Sequence, residues 1–164
     1  MDKVSKKIDV FNEKIGILTA YLAIPLILIT FLVAFMRYIF DFGNIAFQEI
    51  TIYLHALIFT IGASYTLKND THVRIDIFYN KFSSNKKKMV NFYGTIFFLL
   101  PTCILITITS FDYVLSSIIL LESSREAGGL PIIYILKSYI ILMSVTLFLQ
   151  ALSELIKNSG RGDI

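Results

Sequence analysis

The sequence predicts an all-α integral membrane protein with four transmembrane helices, and three observations carry that prediction. Hydrophobic residues make up 55% of the 164-residue chain, charged residues only 16%, and the mean hydropathy is +0.71. Soluble domains average about 25% charged residues. The charges cluster, which leaves four long apolar segments. The basic residues fall almost entirely on one side of those segments, the asymmetry that orients a polytopic protein. The length suits one domain, so residues 1–164 are expected to form a single membrane domain. A sequence pI near 8.9 then reflects topology, and no nucleic-acid partner is expected. Cys103 is the sole cysteine, which excludes an intrachain disulfide.

The first span is expected over 15–36, uncharged and about 33 Å long as a helix. It is too long for a signal-peptide core and lacks a small-x-small cleavage site, so it reads as a retained anchor. Pro25 is expected to bend it without ending it. The second span, 46–67, holds Glu49 and His55. The third apolar segment, 89–121, would measure about 50 Å if fully helical, more than a ~30 Å hydrocarbon core. It must tilt, bend at Pro101, or leave the hydrocarbon near Asp112. The fourth is 131–156, with Pro131 suited to its first turn.

Lys3, Lys6, Lys7 and Lys14 precede the first span. Lys68, Arg74, Lys81, Lys86, Lys87 and Lys88 lie between the second and third, and Lys157 and Arg161 follow the fourth. The opposite side has only Arg37, Arg125 and Lys137. Both termini and the long loop are therefore expected in the cytoplasm. That loop, LKNDTHVRIDIFYNKFSSNKKK from Leu67 to Lys88, also carries an apolar thread. On a helix Ile75, Phe78, Tyr79 and Phe82 share one side, away from Arg74, Asn80 and Lys81. An interfacial helix resting on membrane lipids is expected there. The alternation of Val73, Ile75 and Ile77 leaves a strand-like connector as the other reading.

Ionisable residues within spans are the default functional candidates. Arg37 ends the first span and Glu49 begins the second, across the short stretch YIFDFGNIAF. The two are expected to pair at the outer end and fix the hairpin; contact with a partner subunit or a substrate path is the alternative. His55 is expected to be a hydrogen-bonded structural side chain, because a haem would want a second intramembrane histidine and the only other, His72, lies in the loop. Glu122, Arg125 and Glu126 occupy an outer connector in which Gly128 and Gly129 permit a tight turn. Lys137 can snorkel outward from the fourth span. The Asn69 glycosylation sequon and the Arg161–Asp163 tripeptide face the cytoplasm in this topology and carry no function.

No span has a midplane carboxylate pair, and no two spans are broken by Gly or Pro at matching positions, the usual sign of a transporter's substrate site. Phosphate loop, metal constellation and activated nucleophile are all lacking from the sequence. It reads as a subunit rather than an enzyme, with no cofactor or metal expected. A standalone small channel or exporter, or a haem-bearing redox anchor, are the rival readings.

Several residues in order carry a resemblance. They are Arg37-Tyr38 closing span one, FQEI (Phe47 to Ile50) opening span two, and GASYTLKNDTHVRIDIF (Gly62 to Phe78) leaving it. Glu122-Ser123, GGLP (Gly128 to Pro131), Lys137 and Gln150 follow. Nearly the whole chain resembles the small, DctQ-like membrane subunit of tripartite ATP-independent periplasmic (TRAP) transporters. The sharpest part is Gly62-Ala63 followed by His72, Val73, Arg74, Ile75 and Asp76. Glu49 matches a family glutamate; Phe47 stands where the family often has Trp, which this chain lacks. The resemblance implies a small permease subunit of a sodium-coupled uptake system for organic acids, in a bacterial inner membrane. It implies a stable heterodimer with a large membrane subunit holding the substrate and sodium sites, and transient contact with a periplasmic substrate-binding protein. The small subunit itself would bind no substrate. The residues expected to hold partners or structure are Arg37, Glu49, His72, Arg74, Asp76, Phe78, Phe82, Glu122, Ser123, Gly129, Pro131, Lys137 and Gln150.

Overall fold

A computed structural model describes residues 2–69, 79 and 81–159. The described residues are overwhelmingly helical: α1 Asp2–Ala20, α2 Ala23–Phe40, α3 Ile45–Lys68, α4 Ser84–Gly94, a π-helical turn Thr95–Leu99, α5 Leu100–Ile119 and α6 Ile133–Ser159. Among the described residues, four stretches are long and apolar enough to cross a membrane: Lys3–Phe40, Ile45–Lys68, Ser84–Ile119 and Ile133–Lys157.

Each proline acts where the backbone chemistry places it. Pro25 has no N–H, and its ring crowds the carbonyl four residues back, at Tyr21. The helix accordingly breaks at Tyr21–Leu22, where Leu22 N–H turns to the Thr19 carbonyl and Ile24 N–H to that of Tyr21. The expected bend is thus a break between two helices. The N-terminal one begins at Asp2, well before the apolar segment that marks the span in the sequence. Pro101 is relieved differently. The turn before it widens, Leu100 N–H reaches back to the Thr95 carbonyl, and the helix continues. Ser84–Ile119 is then one 36-residue path, about 54 Å long, with Lys86–Lys88 in its first turns and exposed Asp112 toward its far end.

Helix α6 is the hub, packing against α5, α3 and α1; α3 packs in turn on α1 and α2. The packing stripe of α5 runs through Cys103, Thr107, Ser110, Val114 and Ser117, alternating steps of four and three as ridge-and-groove packing requires. Ten polar side chains are buried among the described residues, against five apolar ones. This inversion of a soluble core is what a bilayer produces: lipid covers the large apolar groups, and small or hydrogen-bonding residues bring helices together. Thr60 and Ser64 donate to their own helix backbone, at Ala56 and Ile61. Ser144 of α6 donates to the Cys103 carbonyl of α5 at 2.5 Å and bonds the Thr107 hydroxyl at 2.7 Å. Gly16 lets α1 meet α3: a Cβ there would fall on the Tyr65 ring, 2.8 Å from its Cγ.

Candidate functional site

Two polar clusters lie at opposite ends of the bundle. One is organised by Glu49. Asn44 caps α3 by accepting from the Phe47 N–H at 3.2 Å, which sets Glu49 on the helix's second turn, half-buried. One carboxylate oxygen accepts the Ser124 hydroxyl and the other the Leu130 N–H at 2.6 Å. Both donors belong to the connector between α5 and α6. That connector closes on itself, since Ser124 N–H donates to the Leu130 carbonyl and Gly129 N–H to that of Glu126. Gly128 has φ +83°, which suits glycine, and a Cβ on Gly129 would lie 2.5 Å from Ser124 Oγ and 2.7 Å from Glu49 Oε1. The chain enters the connector through Leu121, left-handed at φ 47°, so that Glu122 N–H caps the Ser117 carbonyl. Glu122 thereby meets Lys137, which reaches up from α6 to pair with it at 2.5 Å and lies over the Tyr113 ring at 4.2 Å. The Lys137 hydrogen bond holds the Glu122 carboxyl below the usual carboxylate range.

The expected Arg37–Glu49 pair does not form. Among the described residues no ion pair joins them, and Arg37 is exposed. Helix α2 meets α3 through a stripe that includes Val33 and Met36; the next residue is turned about 100° away. Glu49 caps a loop instead of a hairpin. Ser123 is likewise exposed, and its neighbour Ser124, singled out by nothing but the serine doublet, makes the bond. Pro131 lies two residues before α6 rather than in its first turn, because Ile133 N–H is drawn back to the Glu122 carbonyl. His55 corrects a further expectation: it is exposed, with no hydrogen-bond partner among the described residues.

The second cluster joins α1 to α6. Gln150, fully buried, accepts from Asn12 Nδ2 at 2.8 Å and donates to Asp9 and Glu154, each at 3.1 Å. Ser153 donates to Asp9 at 2.7 Å and shares a 2.7 Å bond with Ser5. Lys157 pairs with Asp9 at 2.8 Å and with Glu154 at 2.7 Å. Close by, Lys68 of α3 pairs with Glu13 of α1 at 2.6 Å. Of this set only Gln150 is a candidate from the sequence. The α1 members were legible in principle: Ser5, Asp9, Asn12, Gly16 and Thr19 repeat at four and three, the period of a packing stripe.

His72, Arg74, Asp76 and Phe78, with most of the expected interfacial helix, lie outside the described residues. Phe82 is described: it is exposed and packs edge-on against Tyr79, whose ring also meets Lys87 at 5.2 Å.

Fold and clusters together define a four-span α-helical membrane protein whose polar side chains knit its helix ends. A family profile described as "Tripartite ATP-independent periplasmic transporters, DctQ component" matches residues 26–160. The chain belongs to that family and is a small component of a TRAP transporter. Comparison with curated proteins finds no match.

Proposed function

We propose that this chain is the non-substrate-binding small membrane subunit of a sodium-coupled uptake system for organic acids. It sits in a bacterial inner membrane as a stable heterodimer with a large membrane subunit, which a periplasmic binding protein visits with its cargo. The family match supports the tripartite setting. The observation that carries the scaffold role is how the bundle uses its polar groups. Glu49 is spent on the connector, Gln150 and Asp9 on the α1–α6 joint, and Ser144 on a neighbouring backbone. Groups committed to one another hold helices rather than cargo. His72 to Asp76 would set the exit of α3, while Ile75, Phe78 and Phe82 seat the loop on lipid or on the large subunit. The test is uptake of a labelled organic acid by cells expressing the three components. Uptake is expected to need all three chains and a sodium gradient. Full uptake without this chain, or transport by this chain reconstituted alone, would overturn the reading.

The same proposal places both termini and Lys86 in the cytoplasm, from the basic asymmetry. On a Cys103→Ala background, a cysteine at position 86 is expected to resist an impermeant thiol reagent until the inner face is opened. Labelling of intact spheroplasts at that position would reverse the orientation.

A further inference from the structure

Helix α2 has no buried residue and, among the described residues, packs substantially on α3 alone. Along one flank of this pair runs an open groove, lined by Ile27, Thr30 and Ala34 of α2 and by Thr51, Ile52 and His55 of α3. The two threonines are spoken for, donating to the Leu26 and Gln48 carbonyls at 2.7 and 2.6 Å. His55 is exposed and, among the described residues, has no hydrogen-bond partner. It stands ten residues from the start of α3 and thirteen from its end, so about 15 Å and 20 Å along the axis. A ~30 Å hydrocarbon layer centred on this helix puts its Cα roughly 12 Å below the nearer edge. An imidazole is too short to reach water from there. Asp112, also exposed, stands only seven residues from the end of α5, about 10 Å, beyond a ~30 Å layer centred on the Ser84–Ile119 path.

We infer that this groove receives a transmembrane helix of the large membrane subunit, and that this helix brings a hydrogen-bond acceptor to His55. The inference rests on the proposed function and adds to it the docking face and its chemistry. An imidazole presents at least one N–H in either protonation state, so the partner must offer a carboxylate, amide, hydroxyl or carbonyl oxygen. Acyl chains offer none, and an unpaired donor in hydrocarbon is costly. A second copy of this chain would bring groove to groove, and two concave faces leave each other unfilled. A helix ridge fits: Thr30 and Ala34, four apart, are small enough for close backbone approach.

The test places a photo-cross-linking benzoylphenylalanine at Thr30, Ala34 or Ile52, and at Leu105 or Ile108 of α5 as controls. The full chain is co-expressed with its large membrane subunit and irradiated in native membranes. Adducts to the large subunit, identified by their peptides, are expected from the groove positions and not from α5. His55→Leu is expected to move dissociation of the solubilised complex on dilution by about three- to tenfold, the range of a single interhelical hydrogen bond. His55→Gln, which keeps a donor, should retain most of the affinity. Groove adducts only to a second copy, adducts only from α5, or no dissociation shift with His55→Leu would each overturn the docking face. If those results appear while the unmodified chain still co-purifies with the large subunit, the scaffold function stands and this inference alone fails. If no co-purification occurs at all, both fail.

Discussion

Glu49→Ala is expected to loosen the α5–α6 connector enough that trypsin, added to the solubilised protein, cleaves after Arg125 at least tenfold faster. Arg125 is exposed in that connector, so the protease's access is limited by backbone mobility rather than burial. Removing the carboxylate strips partners from the Ser124 hydroxyl and the Leu130 N–H together, and these are the points where the connector is tied to α3. Glu49→Gln should fall between, because its amide can accept from Leu130 while its NH2 turns to Ser124 Oγ. Gly129→Val should match Glu49→Ala, since any Cβ there enters the space between Ser124 and the carboxylate. Combining the two should cost little beyond either alone, the sign of one shared unit. Arg37→Ala should leave the cleavage rate unchanged, because Arg37 takes no part. Equal rates for wild type and Glu49→Ala, or a large effect of Arg37→Ala, would return Glu49 to the hairpin pairing that its place in the sequence suggests.

That pairing shows where the sequence was and was not legible. The four spans follow from composition, because hydrocarbon demands long uncharged helices and little else satisfies the demand. The break near Pro25 and the widened turn before Pro101 follow from a missing N–H. Partners were harder. Arg37 and Glu49 are near in sequence and opposite in charge, but one helical step turns Arg37 off the contact face, and the carboxylate's donors come from 75 and 81 residues away. Ser123 and Ser124 differ only in the phase of a tight loop, which no periodicity records. The start of α1 was hidden for another reason. Its charges mask it from a search for apolar runs, although the stripe from Ser5 to Thr19 was there to read by spacing.

Gln150→Leu is expected to have the largest effect in the α1–α6 cluster, destabilising the bundle by about 2 kcal/mol, because it leaves a buried amide donor without its acceptor. Gln150 is fully buried and Asn12 nearly so, and the Asn12 Nδ2 bond is one of the links between α1 and α6, beside those that Asp9 makes to Gln150, Ser153 and Lys157. The Asn12 carbonyl oxygen lies buried with no partner among the described residues, so Asn12 is only half satisfied there. The double variant should therefore surprise a contact-counting view. Asn12→Leu with Gln150→Leu removes the orphaned donor, its lost acceptor and the unpaired carbonyl together, replacing a partly satisfied pair with apolar groups of similar size. Its stability should recover by about 1 kcal/mol or more over Gln150→Leu alone, measured by reversible unfolding in mixed detergent micelles. Strict additivity of the two losses would mean that Asn12 and Gln150 act separately. The joint between α1 and α6 would then rest on the Asp9–Lys157 ion pair and the Ser5–Ser153 contact rather than on the amide pair between them.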